Sequence, residues 1–509
     1  MTHALAAPKV GVDAHHADLS GWFAALAATI GGTTLGWYFN DPGLFFVQLP
    51  IFLIALGVGS IAWIGVLRNR STWLPVSMIG FVFLVMDLTL RSGYVSGGSF
   101  DIQSVLKGVA WVFVLTYGLA NGAKKLPQDA LLLLFFAYTL YAFASAFYSK
   151  AMLLGVGSGC ALLALSTFAG VIGSWDRATL TRMWGGIFLA CVVMGMLSLT
   201  LYFVAPQMAI DIVAGPNRLR GATGSGNSLG PIMSIGILLG IYHWSDATKA
   251  KRFVLAITLV LLAAALLMSQ SRASIFGLIA GILVVAALGN VLVSIVALLL
   301  GSVAIWSLYQ PGVVDSLLSE LAALISRTGR VTEITSFTGR SDIWAAVTHK
   351  WLESPWIGFG LGSPRIVIPE AYADRWGNTH ESAHNWLLES LISFGIVGTT
   401  LLLLFLVALG WRLWRLKKPD ASSASGGTPS TDWPMVLFMR RCFVFCLVSG
   451  LMEKAFAGMP SPSLIALSCL AGSCTALAHR KSRPVIADDS VPWRASTNTS
   501  VRRPGEAHG

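Results

Sequence analysis

The chain has 509 residues, of which 55% are hydrophobic and only 12% charged, and its mean hydropathy is +0.70. A soluble domain carries roughly 25% charged residues, so this balance excludes a soluble enzyme and requires a membrane protein. The net charge of +11, from 35 Lys and Arg against 24 Asp and Glu, would suggest nucleic acid in a soluble chain; here its placement follows membrane topology instead.

Apolar runs near the roughly 20 residues that cross a bilayer recur along the chain. They predict spans at about 21–39, 44–67, 74–90, 105–121, 130–148, 151–174, 184–206, 228–244, 253–269, 274–289, 291–309, 386–411, 436–455 and 461–479. The polar leader before the first run has no basic n-region, so a retained span is expected there, not a removed signal peptide. With the N-terminus cytoplasmic, the basic clusters at Arg68/Arg70, Lys124/Lys125, Lys249/Lys251/Arg252, Arg412/Arg415 and Arg480/Lys481 all fall inside, as the positive-inside rule asks. All six cysteines lie in predicted spans, where thiols act as small apolar groups, and no disulfide framework is indicated. The organisation read from this is residues 1–309 as N-terminal spans, 310–385 as a long exterior loop and 386–480 as C-terminal spans. A Ser/Gly/Pro-rich linker falls near 419–435, and the tail 481–509 has the composition of a disordered segment.

Three exterior connections carry polar residues that membrane insertion would otherwise discourage. GPNRLRGATGSGNSLG supplies Arg218, Arg220 and Asn227, SQSRAS supplies Arg272, and the long loop supplies Arg340 and Asp342 in SFTGRSDIW and His384 and Asn385 in SAHNW. Any one arginine could snorkel to the headgroups or pair with an acid. Four on one face point to a shared anionic partner, most naturally a phosphate. Asp87 and Arg91 are spaced to pair at the outer end of the third span, and Glu453 and Lys454 lie near the outer end of the thirteenth, in the site or at its rim.

The same loop holds HESAH, His380 to His384, which satisfies the H-E-x-x-H pattern of zinc proteases. Thr379 could cap a helix starting at His380, which would present both imidazoles to one ion. A catalytic zinc needs a third protein ligand, however, and Glu389, five residues on, projects from another part of such a helix. No metal site is expected.

The segments TGRSDIWAAVTHKWLESPWIGFGLGS and SAHNWLLESLISFGIVGT resemble the signature region of the O-antigen ligase and O-antigen polymerase superfamily. The matching residues are Gly339-Arg340 with Trp344, Pro355 with Gly358 and Gly360, and His384-Asn385 with Leu388, Gly395 and Gly398. Arg218 or Arg220 with Gly221, Asn227 with Gly230, and Ser271-Arg272 also match in the same chain order. The resemblance implies an all-α polytopic membrane protein, here with about 12–14 transmembrane helices and one long periplasmic loop, set in the bacterial inner membrane. It implies a metal-independent, inverting glycosyltransferase without a cofactor, taking a glycan from an undecaprenyl-pyrophosphate carrier. The acceptor is the lipid A core in ligases and a second lipid-linked glycan in polymerases, and the sequence does not separate the two. Its partners are those glycans and the lipid bilayer, not nucleic acid.

The residue types fit this chemistry. A histidine is mostly neutral near pH 7 and can take the proton of an attacking hydroxyl, which gives His384 the role of base. Arginine grips phosphate oxygens and stays charged as the leaving group develops, which favours Arg340 and then Arg220, Arg272 and Arg218. Asn385 either orients the acceptor or caps the following helix, Asn227 is acceptor-orienting or structural, and Gly395 and Gly398 are expected to allow close helix packing. A transporter is the competing class; it should show broken helices near the midplane and repeat symmetry, and the sequence shows neither clearly.

Overall fold

The structure, a computed structural model, describes residues 73–89, 102–211, 218–287, 340–373, 380–416 and 433–481. The expected spans at 21–39, 44–67 and 291–309, the first part of the long loop, most of the 419–435 linker and the tail beyond 481 lie outside them, and the last three linker residues, 433–435, open α12. In chain order the helices are α1 (Trp73–Met86), α2 (Ile102–Asn121), α3 (Ala130–Ser145), α4 (Met152–Ile172), α5 (Arg177–Val204), α6 (Gly226–Trp244), α7 (Lys249–Met268) and α8 (Arg272–Ala287). They continue with α9 (Arg340–Trp351), α10 (Pro364–Ala371), α11 (Trp386–Arg415), α12 (Trp433–Gly450) and α13 (Pro462–Lys481). Among the described residues, seven helices are long and apolar enough to cross a membrane, and α1 and α8 are shorter apolar helices beside them. Among the described residues, extended pairing is confined to isolated bridges such as Leu88 with Thr223. The protein is an all-α polytopic membrane protein.

Helix starts follow local chemistry. The first N–H groups of a helix lack intrahelical acceptors, and short polar side chains supply them: Asp129 accepts from Leu131 and Leu132, Asp176 from Thr179 and Ser225 from Ser228. Around α4 pack α2, α3 and α13, while α5 packs on α1 and α6, and α8 lies along α12. Buried aromatic pairs fill the seams, with Phe135 stacked on Phe405 at 4.5 Å and Trp184 edge-on to Phe438 at 4.8 Å. Two span ends differ from expectation. The span predicted to reach 90 stops at Met86, and the one predicted to reach 455 stops at Gly450. Left-handed backbone at Ala455 and Gly458 then turns the chain, so Glu453 sits in a connection, outside the helix.

The longest described helix, α11, is broken. Gly395 takes φ +62° and ψ −165°, which deprives the flanking carbonyls and amides of helical partners. Residues 355–360 of the long loop enter the gap and replace those partners. Pro355 and Trp356 carbonyls accept from the Ile396 and Val397 amides at 2.8 and 3.1 Å, and the Phe359 and Gly360 amides donate to the Ile392 and Ser393 carbonyls at 2.9 and 2.8 Å. Tyr141 donates its hydroxyl to the Phe394 carbonyl at 3.2 Å and Tyr148 to that of Ile357 at 2.8 Å. A Cβ on Gly395 would lie 2.3 Å from the Trp356 carbonyl carbon, and one on Gly358 2.6 Å from the Phe394 amide. The expectation that Gly395 merely eases packing is therefore corrected: it opens the helix, and Gly398, against Tyr141, does the packing. The sequence gives no clear sign of this break, because a local apolar pattern does not show that a distant loop can take over backbone hydrogen bonds.

Candidate active site

At the end of the bundle where α6, α8, α11 and α13 begin, one carboxylate gathers residues from four parts of the chain. Glu453 Oε1 accepts from Arg340 Nη2 at 2.9 Å and from Asn227 Nδ2 at 2.7 Å, and its Oε2 lies 3.2 Å from His384 Nδ1. Arg340, the first residue of α9, also donates from Nη1 to the Met452 carbonyl at 2.5 Å. Arg218 joins through Asn227, donating to its Oδ1, and is further held by the Ser269 carbonyl at 3.0 Å and by Asp211 at 3.6 Å. Burial alone would raise the Glu453 carboxyl, but His384, Arg340 and Arg218 bring it below its ordinary value. It is thus an anion, and a carboxylate only accepts hydrogen bonds. His384 Nδ1 must therefore carry the proton, which leaves Nε2 as the basic nitrogen.

His384 itself is held in left-handed backbone at φ +48°, a conformation that a non-glycine residue keeps only when its surroundings enforce it. Both backbone groups of the preceding residue are tied down. The Ala383 amide donates to buried Glu389 Oε2 at 2.8 Å, and the Ala383 carbonyl accepts from Trp344 Nε1 at 3.0 Å. On the other side Asn385 caps α11, accepting from the Leu387 and Leu388 amides at 2.9 and 3.2 Å and donating to the Leu451 carbonyl at 3.1 Å. Of the two readings of Asn385, the capping one is thus realised in full.

The other candidates stand differently. Arg220 is buried and donates from Nε to the Met208 carbonyl at 2.9 Å. Arg272 opens α8 three residues after Ser269, the residue that anchors Arg218. The helix over HESAH that Thr379 could have capped is not formed: the helix starts at Trp386, and residues 380–385 are bends and irregular backbone. His380 meets His384 edge-on with ring centroids 5.9 Å apart, and Glu381 pairs with Arg365 at 3.6 Å. Among the described residues no group of three or more His, Cys, Asp or Glu is placed to hold a metal ion. Asp87 lies beyond α1, and its expected partner Arg91 lies outside the described residues.

Glu389 and Trp344 escaped the sequence reading as site residues. The signal for Glu389 is a single acid at the head of a long apolar helix, a placement that hydrocarbon disfavours unless the group has work to do. Glu453 carried a related signal, an acid near the outer end of an apolar run.

Fold and site together define a multi-pass membrane protein whose polar chemistry converges at one end of a helical bundle. Residues 257–418 match the family model described as O-antigen ligase, a stretch that includes Arg272, Arg340, Glu389 and His384. Over that stretch, about a third of its length, the chain is similar to the O-antigen ligase family, which suggests a glycosyltransferase-type enzyme that handles lipid-linked glycans. No curated protein matches the chain.

Proposed function

We propose that the protein transfers a glycan from an undecaprenyl-pyrophosphate carrier to an acceptor sugar hydroxyl on the periplasmic face of the inner membrane. The observation that carries this reading is the shared carboxylate: Glu453 holds the base His384 through Nδ1 and the cation Arg340 through Nη2. Nε2 of His384 takes the proton of the acceptor hydroxyl, whose oxygen attacks the anomeric carbon of the donor. The bond from that carbon to the pyrophosphate oxygen breaks, its electron pair leaves with the diphosphate, and the anomeric configuration inverts. Arg340, with Arg220 and Arg272, neutralises the growing charge. Arg218, with its guanidinium engaged by Asn227, Ser269 and Asp211, sets the position of Asn227 and through it of Glu453. Helices α6, α8 and α11 all start at this end, and the positive ends of their dipoles favour an anionic substrate there. The opposite end carries Lys124, Lys125, Arg177, Lys249 and Arg415, which supports its assignment to the cytoplasm.

The test is made in the natural host with the gene deleted or carrying His384→Ala, by resolving lipid-linked and surface glycans from the envelope. Long polymer left on the carrier over bare lipid A cores identifies the core as acceptor. Single repeat units left on the carrier identify a second lipid-linked glycan. A glycan profile unchanged from the wild type in both strains overturns the proposal.

A further inference from the structure

We propose that residues 354–364 are a re-entrant element of the leaflet on the active-site side, with Trp356 and Ile357 in direct contact with lipid acyl chains. The inference rests on the splice at Gly395 and is independent of the transferase reading. Residues 390–411 of α11 contain no charged side chain and are long enough to fill a hydrocarbon core. Gly395 lies five residues inside that run, about 8 Å by helical rise. Hydrogen bonds from the Ile396 and Val397 amides fix the Pro355 and Trp356 carbonyls at that depth, so the loop cannot ride above the membrane while the bonds hold.

The sequence of the element agrees. SPWIGFGLGSP has no charge and is bounded by Glu353 and Arg365; an apolar run of this length is too short to span a bilayer and suits a re-entrant segment. Irregular backbone is tolerated at such depth only where protein satisfies its polar groups, which the Ile392, Ser393, Ile396 and Val397 backbone, together with Tyr148, does. What remains uncovered is apolar. Trp356 is 66% exposed and Ile357 48%, and they continue the exposed face formed by Phe147, Tyr148, Ile396 and Val397. In water this face would be a costly apolar patch, whereas in the acyl region it is the expected surface, with the tryptophan near the interface. The loop that carries Arg340 and His384 is thereby fastened to the bilayer midway between them.

The proposal is tested on the full chain in lipid vesicles, with Cys160, the one cysteine that is not buried, replaced by serine. A nitroxide is placed by Trp356→Cys or Ile357→Cys and its collision rates with oxygen and with a water-soluble nickel chelate are compared. Val397→Cys serves as the lipid reference and Glu370→Cys, on the exposed face of α10, as the water reference. The expected oxygen-to-nickel ratio at 356 and 357 is within about twofold of that at 397 and at least several-fold above that at 370. A ratio nearer to that of 370 at position 357 overturns the proposal. Ile357→Cys decides by itself should the tryptophan replacement fail to yield a monodisperse protein.

Discussion

The two ends of the bundle carry nearly the same set of side chains and use them differently. At the end opposite the candidate active site, Asp129 is held by Arg412 Nη1 at 2.6 Å to both oxygens, with Thr475 on the same nitrogen at 3.2 Å and His479 Nε2 3.4 Å from Oδ2. Asp129 also caps α3. It is fully saturated, and its histidine is more than half exposed and peripheral. Glu453 caps nothing; it lies in a turn, and its histidine is partly buried and oriented with Nε2 left basic. A carboxylate, an arginine and a histidine thus fasten α3, α11 and α13 together at one end and, on the proposed function, assemble a base and a cation at the other. The difference lies in which histidine nitrogen faces the acid and in what else the acid must hold.

The comparison breaks most sharply on the histidines. His384→Ala is expected to lower transfer by about 10²- to 10⁴-fold, the range for loss of a general base, whereas His479→Ala should leave turnover within about twofold. An in vitro transfer assay with purified protein reads both, and equal losses would erase the distinction drawn here. Next come the acids. Glu453→Gln should reduce kcat by about 10²-fold, because an amide no longer fixes the Nδ1 proton. Asp129→Asn should leave kcat intact but destabilise the fold by about 3 kcal/mol, since it strands a partly buried arginine, as read from thermal unfolding in detergent.

Acid sharpens the comparison by treating both ends alike. Burial opposes ionisation of Asp129, but Arg412 and two backbone amides bring its carboxyl below the ordinary value, as the arginines and His384 do for Glu453. Groups depressed on folding contribute stability above their unfolded values, about 4, and lose it as pH falls through the folded ones. Unfolding temperature should therefore drop below about pH 4, and Glu453→Gln and Asp129→Asn should each remove part of that drop. Among the residues at the candidate site, the smallest effect is expected at Glu389. Glu389→Gln keeps an acceptor for the Ala383 amide and should cost only a few-fold in kcat with KM unchanged. Glu389→Ala removes the acceptor and should cost about tenfold, in line with loss of an outer support for a reactive group.

Much of this protein was legible in the chain. Hydropathy set the helical class and most described spans, because an apolar run of about 20 residues has one economical fate in a bilayer. The motif arginines and His384 stood out because charge on the outer side of a membrane demands a reason. The sequence could not show which of them meet. Arg218, Asn227, Arg340, His384 and Glu453 come together only when α6, α9, α11 and the turn after α12 pack, and side-chain hydrogen bonds leave no periodic trace. Asn385 reads equally as cap or ligand until the following helix exists to be capped. Gly395 and residues 355–360 each look local, yet they are two halves of one structure. A helix break in a membrane is stable only when another segment supplies its missing hydrogen bonds, and that partnership is decided by tertiary packing alone.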